Sequence, residues 1–204
     1  MSARIDRSIE FRRTQSVGPA MVYVLPHRGE EFLKLGFSRD PLQRMQNLHA
    51  RYFEFFDIDR AILIETTRVV EARRIESQFK SAAAECRAPA PLDIRREAGG
   101  ETEWYRGAYT LLKECAEIKE HENFKVHWRA GEWIASQLLG RREWLFEWSH
   151  AQFRALDAAG ELSPFGKRIA KALRDALDAN RYFGIDNTIA VPPDVADWYS
   201  ALVA

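Results

Sequence analysis

Two short apolar segments joined by a polar turn limit what the N-terminal half of this chain can fold into. MVYVL at 21–25 and EFLKLGF at 31–37 are rich in β-branched, aromatic and aliphatic residues. Runs of this length and composition are typical of strands. The turn between them contains Gly29, and glycine is common in tight turns. The two segments therefore predict a β-hairpin.

A helix is expected immediately after the hairpin. Ser38 or Asp40 can cap its first turn, and Pro41 suits its first position. Mainly apolar side chains follow at helical spacing along one stripe, namely Leu42, Met45, Leu48, His49 and Tyr52. Two cations, Lys34 and Arg44, frame the turn between strand and helix. A turn does not need this pair of charges, so they are candidates for binding an anion such as phosphate.

The next part of the chain alternates between strand and helix patterns. IDRAILIET at 58–66 predicts a third strand, and VVEARRIESQFKSAAAEC at 69–86 predicts a helix. Residues 87–100 are rich in Pro and Gly and indicate a loop. TEWYRG at 102–107 favours a short strand or turn, and 108–121 is helical.

The pattern changes at about residue 121, after which the chain is predicted to be helical. The clearest example runs from 163 to 184, with Ser163 as the N-terminal cap and Gly184 as the stop. A strand is suggested only at NTIAVP, 187–192.

These patterns predict an α+β protein. We assign 1–18 to an N-terminal arm and 19–120 to a small domain with a three-stranded, mostly antiparallel sheet flanked by helices. The remainder, 121–204, is expected to form an α-helical C-terminal domain.

Composition limits the class of protein. Lys+Arg and Asp+Glu both total 30 among 204 residues, so no global basic excess indicates a protein that coats nucleic acid. No segment has the apolar length of a membrane span or of a secretory signal. Cys86 and Cys115 are isolated, which argues against a zinc site. The expected location is the cytoplasm.

Four residues attract attention, although each has an ordinary structural explanation when taken alone. Glu76 lies at the margin of the apolar face of the 69–86 helix, where a carboxylate loses hydration unless a partner replaces it. A structural arginine could be that partner, or the side chain could turn out to solvent. Arg44 could be an exposed helix residue, Tyr23 a core residue, and Lys34 the polar position of an alternating strand.

In this order and spacing, however, the motifs resemble the GIY-YIG nuclease superfamily. More narrowly, they resemble its T5orf172 or Mug113-like branch, in which the second motif reads K-[IL]-G. The matching motifs, which span roughly 20–110, are Val22-Tyr23, Lys34-Leu35-Gly36, Phe37-Ser38-Arg39-Asp40-Pro41, Arg44, Ile75-Glu76 and Glu103-Trp104-Tyr105. The resemblance implies a GIY-YIG-like nuclease domain at 19–120.

The resemblance also implies roles in phosphodiester hydrolysis. Glu76 would hold one Mg²⁺ or Mn²⁺ ion, and Tyr23 would accept a proton from the attacking water. Lys34 would supply the cation that a tyrosine needs for this at neutral pH, and Arg44 would bind the scissile phosphate. His49 would orient a water or bind phosphate, although a half-buried histidine on the helix stripe is the more common explanation.

The implied function is a metal-dependent DNA endonuclease. Nucleic acid would be contacted by four residues of the turn and of the chain beyond it, namely Gly36, Ser38, Arg39 and Arg51. Trp104 and Tyr105 are expected to close the domain core. Tryptophans crowd the start of the helical region, at Trp128, Trp133, Trp144 and Trp148. We interpret them as core or homodimer contacts rather than base-stacking platforms.

The sequence also departs from the family pattern. Met21 replaces the first glycine, Lys34 replaces the second tyrosine, and Lys80 stands where a histidine is common. No terminal asparagine motif is evident, and Glu71 competes with Glu76 as the helical acid. A catalytically weak or inactive nucleic-acid-binding or interaction module that keeps the fold is therefore the alternative function. An unrelated small enzyme has no supporting motif.

Overall fold

The computed structural model describes residues 18–94 and 102–203, which form two compact units. The first unit extends to Ala130 but omits Ala50–Phe53, which belong to the second unit together with the chain from Gly131 onward. The predicted N-terminal arm lies outside the described residues except for its last residue, Gly18.

An antiparallel sheet with strand order β4-β5-β2-β1-β3-β6 organises the first unit. The strands are β1 (Ala20–Pro26), β2 (Phe32–Ser38), β3 (Ile62–Thr66), β4 (Arg87–Ala88), β5 (Trp104–Arg106) and β6 (Val126–His127). The three longest are those predicted from the sequence, and β1 and β2 form the expected hairpin.

The prediction of a three-stranded sheet is wrong, because among the residues that the structure describes three further short strands extend the sheet to six. β5 pairs with β2 through Lys34 and Trp104, and β6 pairs with β3 through Leu63 and His127. β5 lies within 102–107, where the sequence favoured a short strand or turn. The two-residue strands β4 and β6 are too short to show the period from which strands are recognised. β6 also corrects the expectation that the chain after residue 121 is helical apart from the strand suggested at NTIAVP.

The helices along this part of the chain begin largely where the sequence predicts them, except that the helical stripe expected to continue to Tyr52 is interrupted after Leu48. They are α1 (Pro41–Leu48), α2 (Tyr52–Phe55), α3 (Val69–Ala82) and α4 (Tyr109–His121). Asp40, rather than Ser38, caps α1 by accepting a hydrogen bond from the Gln43 backbone at 2.9 Å. α3 ends before the predicted residue 86, and a short 3-10 turn, Ala84–Cys86, follows it.

The two faces of the sheet carry different side chains, one facing the main core and the other facing away from it. Val22, Val24, Leu33 and Leu35 occupy every second position of their strands, so they share one face and pack with α3 and α4 into the main core. Because successive side chains point to opposite faces, Tyr23 and its cross-strand partner Gly36 lie on the other face together with Lys34. Trp104 and Tyr105 are buried, as predicted.

The second unit is helical, as predicted. Its helices are α5 (Ala130–Gly140), α6 (Arg142–Ala159), α7 (Pro164–Tyr182), α8 (Asn187–Ala190) and α9 (Pro193–Val203). The strand suggested at NTIAVP is wrong: Asp186 accepts a hydrogen bond from the Thr188 backbone and starts α8. The helical preference given by this local cap is stronger than the strand preference of the β-branched residues in the segment.

The aromatic side chains of the helical unit differ in how far they are buried. Trp148 packs against buried clusters, and its ring stacks at 5.7 Å on that of Trp144, which is exposed. The homodimer expected through this unit stays a prediction. Within the part of the chain that the structure describes, no helix combines the length and apolar character needed to cross a bilayer.

Candidate active site

Tyr23 lies directly over Gly36 on the sheet face opposite the main core. The two residues are cross-strand partners, and a Cβ atom added at Gly36 would lie 2.7 Å from Cζ and 3.0 Å from Cε2 of the tyrosine ring. These distances are well inside van der Waals contact. The glycine is therefore required locally to admit the ring of Tyr23. Its predicted contact with nucleic acid is a separate matter and stays a prediction.

A side chain at position 36 should therefore damage both the fold and the site. We expect Gly36→Ala to lower the free energy of unfolding by about 1–3 kcal/mol, because a buried aromatic ring must move to admit the methyl group. Denaturant titration measures this loss. The same substitution in a Tyr23→Ala background should cost much less, since the ring is gone.

Gly140→Ala is the matched control. A Cβ atom at Gly140, in α5, meets nothing within 4 Å. Equal destabilisation by the two single substitutions would contradict the packing of Tyr23 on Gly36.

Arg44, from α1, reaches the hydroxyl group of Tyr23. Burial raises the pKa of Tyr23 above its ordinary value, while the hydrogen bond and the positive charge of Arg44 act in the opposite direction. The charges of Glu103 and Glu76 also raise this pKa. The tyrosine is therefore a neutral phenol at neutral pH. Arg44 is a cation that hydrogen-bonds it, and the predicted role of Lys34 as a nearby cation stays a prediction.

Lys34 is completely buried and is held from the loop before β5. Its ammonium group donates to the backbone carbonyl of Thr102 and lies 3.4 Å from Oε2 of Glu103. It also lies 5.8 Å from the ring centroid of Trp104, its cross-strand partner. Burial lowers the pKa of Lys34 to about 8, an effect that Glu103 opposes and the positive charge of Arg44 reinforces. Two cations close enough to repel each other favour an anion between or beside them.

Glu103 links the strand lysine to α3. Its carboxylate accepts from Lys80 and pairs with Lys34, while its backbone carbonyl accepts from Leu35 at 3.1 Å. Although burial alone would raise the pKa of Glu103, Lys80 and Lys34 hold it below the usual value. The residue has φ 70°, a left-handed backbone conformation that a side chain disfavours. Strain of this kind often accompanies a functional position.

Glu76 is buried on α3, with 7% of its surface exposed. Oε1 lies 3.1 Å from Nζ of Lys80, one helical turn later. Burial raises the pKa of Glu76; Lys80 and Lys34 oppose this effect, and Glu103 reinforces it. The competing acid, Glu71, binds the side chains of Thr67 and Arg68 at the start of α3. Of these two acids on α3, Glu76 is therefore the one that shares an electrostatic environment with Tyr23 and Lys34.

The other predicted site residues are placed less centrally. His49 ends α1, is half-buried and stacks on the ring of Phe55 at 4.6 Å. The Ser38 hydroxyl accepts from the backbone of Asp40, and Arg39 is exposed. Arg51 belongs to the helical unit, where it binds Asp175 at 3.1 Å and Asp178 at 2.6 Å. The predicted roles of these residues stay predictions.

Sequence reasoning gave no site role to Lys80 or Glu103. Lys80 follows Glu76 by four residues, a spacing at which helical side chains meet, and this signal could have identified the pair. Glu103 follows Lys80 by 23 residues and appeared only as part of a motif interpreted as structural. Its position between two lysines depends on how β5 joins the sheet, which local patterns do not encode.

The donor atoms suit a hard divalent cation held by few protein ligands. Among residues 18–94 and 102–203, no group of three or more His, Cys, Asp or Glu side chains could form a dedicated metal cage. Mg²⁺ is commonly held by one or two carboxylates, with water and phosphate as its other ligands. Two carboxylates, Glu76 and Glu103, already share one cation here, the ammonium group of Lys80.

Comparison with known families places this cluster within one domain. Residues 20–120, about half of the chain, match the model of the T5orf172 domain, a GIY-YIG-like and nuclease-associated family. All six clustered side chains lie inside the match: Tyr23, Lys34, Arg44, Glu76, Lys80 and Glu103. Neither a curated protein nor a solved structure matches the chain significantly.

Proposed function

We propose, from the T5orf172 domain at residues 20–120 and the side chains clustered in it, that this protein is a metal-dependent DNA endonuclease. Its second motif would be the K-[IL]-G variant at Lys34-Leu35-Gly36. The partner would be DNA, in a cytoplasmic setting. One observation carries the proposal: Arg44 binds the hydroxyl of Tyr23 within the electrostatic reach of Glu76 and Lys34.

Arg44 is the proposed phosphate ligand. Its guanidinium group is planar and permanently charged, so it can donate two parallel hydrogen bonds to the non-bridging oxygens of a phosphodiester. An anion at this point would also relieve the repulsion between Arg44 and Lys34. Binding of the phosphate would thus be favoured by a charge arrangement that is unfavourable when the site is empty.

Tyr23 is the proposed partner of the attacking water. As a neutral phenol, it can accept a hydrogen bond from water and orient it, with its own hydroxyl fixed by Arg44. Once a phosphate binds Arg44, the distance from the phenol oxygen to phosphorus is also fixed. This restriction of geometry is a recognised source of rate enhancement.

Glu76 is the proposed metal ligand. A bound Mg²⁺ or Mn²⁺ ion would polarise the phosphoryl oxygens and activate water as a Lewis acid. The carboxylate of Glu76 is suited to hold such an ion because its environment is largely dry, which strengthens charge interactions. Lys34 is buried and would act as a positioning residue, supplying positive charge without touching substrate.

Plasmid cleavage by the full-length protein tests the proposal. Supercoiled DNA should be nicked or cut with Mg²⁺ or Mn²⁺ and remain intact with EDTA. Single-stranded DNA and RNA are included as further substrates. Failure of a well-folded protein to cut any of them with several divalent metals would overturn the proposal.

The rate should also depend on the protonation of Lys34. Because its pKa is about 8, Lys34 is charged below this pH and neutral above it, so kcat/KM should fall as pH rises through 8. Measuring kcat/KM from about pH 6.5 to 9.5 locates the descending limb. Lys34→Arg should lose this limb, since guanidinium stays charged, at the cost of a lower maximum rate.

Unfolding is not expected to imitate this loss of activity. The folded-state pKa of Lys34, about 8, is below the ordinary 10.5, so the unfolded state binds more protons between these values. This lysine by itself therefore makes the fold more stable as pH rises from 8 to 10.5. A descending limb that persists in Lys34→Arg would contradict the role of Lys34.

A second function, a binding module without turnover, is favoured by a specific contact. The ammonium group of Lys80 already forms an ion pair with the carboxylate of Glu76. In addition, a lysine at position 34 replaces the tyrosine of the commoner motif. Such a protein would bind DNA but leave it intact with every divalent metal. Gel-shift assays run beside the plasmid assay separate the two functions.

A further inference from the structure

We infer that the ammonium group of Lys80 is the resident counter-ion of Glu76, and that a divalent cation gains Glu76 only when this ammonium group moves away. The inference rests on the proposed function for the assignment of Glu76 as a metal ligand. Lys80 then has a role of its own, because its ammonium group controls how readily a metal ion binds at Glu76.

The geometry of the ion pairs supports this role. Nζ of Lys80 lies 3.1 Å from Oε1 of Glu76 and also binds Oε1 of Glu103. A cation therefore already lies at the point between the two carboxylates. The Glu76 side chain is only 9% exposed, so water cannot screen this charge well. A divalent ion at Glu76 would lie next to the ammonium group and be repelled by it.

Glu103 provides a place for the displaced lysine. Glu103 also pairs with Lys34 and has a more exposed side chain, at 32% compared with 9% for Glu76. Lys80 can therefore leave Glu76 while keeping its hydrogen bond to Glu103, which avoids leaving its charge unpaired. The exchange of partners is a short movement of a flexible four-carbon side chain.

The same contact has a consequence for an incoming phosphodiester. A bare Glu76 carboxylate would repel the phosphate, whereas the paired carboxylate is neutralised. Lys80 thus keeps the site acceptable to an anion until metal arrives. The protein should therefore bind divalent ions weakly in the absence of nucleic acid.

Binding of Mn²⁺ to the full-length protein, without nucleic acid, tests the inference. Free Mn²⁺ is followed by electron paramagnetic resonance during titration. We expect Lys80→Met to bind Mn²⁺ about tenfold more tightly than wild type or better, within the range by which residues around metal ligands change affinity. Lys80→Gln, which can still donate to Glu103, should show a gain in the same direction and replaces Lys80→Met if that variant unfolds.

Arg74→Met is the matched control for loss of positive charge. Arg74 is an exposed cation on the same helix, so its removal changes the net charge of the protein equally. We expect the Arg74→Met variant to bind Mn²⁺ with an affinity within about twofold of wild type, since exposed charges are screened by water and salt. Adding Glu76→Gln to Lys80→Met should abolish the gain and thereby locate the ion at Glu76.

The outcomes separate the inference from the proposed function. A folded Lys80 variant that binds Mn²⁺ no more tightly than wild type would overturn the inference, even if the wild type cuts DNA only with Mg²⁺. A gain that survives Glu76→Gln, or that Arg74→Met reproduces, would also overturn it. Tighter binding in Lys80→Met that depends on Glu76, found in a protein that cuts no DNA, would support the inference and overturn the proposed function.

Discussion

Glu76→Gln is expected to reduce Mg²⁺-dependent cleavage of plasmid DNA by on the order of a thousandfold or more, because the metal loses its charged protein ligand. Glutamine has nearly the same shape, and its carbonyl oxygen can still accept from Lys80. The change therefore removes charge while preserving packing. Single-turnover cleavage with enzyme in excess measures the loss.

The same substitution should not destabilise the protein. Burial raises the pKa of Glu76, so the folded state disfavours the charged carboxylate at neutral pH. Replacing it with a neutral amide should leave the thermal midpoint unchanged or higher. A residue that lowers stability and is needed for activity is typical of a functional site. Cleavage that continues at the wild-type rate would remove Glu76 from the mechanism.

Arg44→Lys is expected to lower the cleavage rate by on the order of a hundredfold, although it keeps the positive charge. Lysine presents a point charge in place of the planar fork that can bind two phosphate oxygens. It also cannot hold the Tyr23 hydroxyl in the same way while facing a phosphate. Arg44→Ala should lower the cleavage rate further, because it removes both the positive charge and the planar group that carries it.

Gln43→Ala supplies the control on the same helix. Gln43 is exposed and its side chain bonds to Asn47 rather than to the site, so cleavage should be unchanged. The pKa of Tyr23 gives a second criterion. Arg44→Lys removes a hydrogen bond that lowers this pKa, so the pKa of Tyr23 should rise in the variant. Equal rates for wild type and Arg44→Lys would mean that bidentate phosphate binding is not part of the reaction.

Local patterns predicted the parts of the fold that are long enough to show a period. The β1–β2 hairpin, the start of α1 at Pro41 and the start of α3 at Val69 all follow from alternation, capping residues or helical spacing. β4 and β6 were missed because each has only two residues, and β5 was predicted only as a short strand or turn within 102–107. Their stability comes from hydrogen bonds to strands that are distant in the chain, which no local pattern records.

Motif order predicted the members of the site better than their pairing. Tyr23, Arg44 and Glu76 share one electrostatic environment, and Arg44 hydrogen-bonds Tyr23, whereas the sequence assigned the cation near Tyr23 to Lys34. Lys34 instead binds the Thr102 carbonyl and Glu103, because β5 brings that loop to its side of the sheet. Such pairings depend on sheet order and on the left-handed backbone at Glu103.

The central claim is that one phosphodiester and one divalent ion bind together among Tyr23, Arg44 and Glu76. Crystals of the full-length protein with Mn²⁺ and a short DNA carrying a cleavage-resistant phosphorothioate test it most directly. We predict an anomalous Mn²⁺ peak about 2.1 Å from a carboxylate oxygen of Glu76, with the phosphate bound by Arg44. Mn²⁺ bound elsewhere, or DNA bound away from these three residues, would contradict the claim.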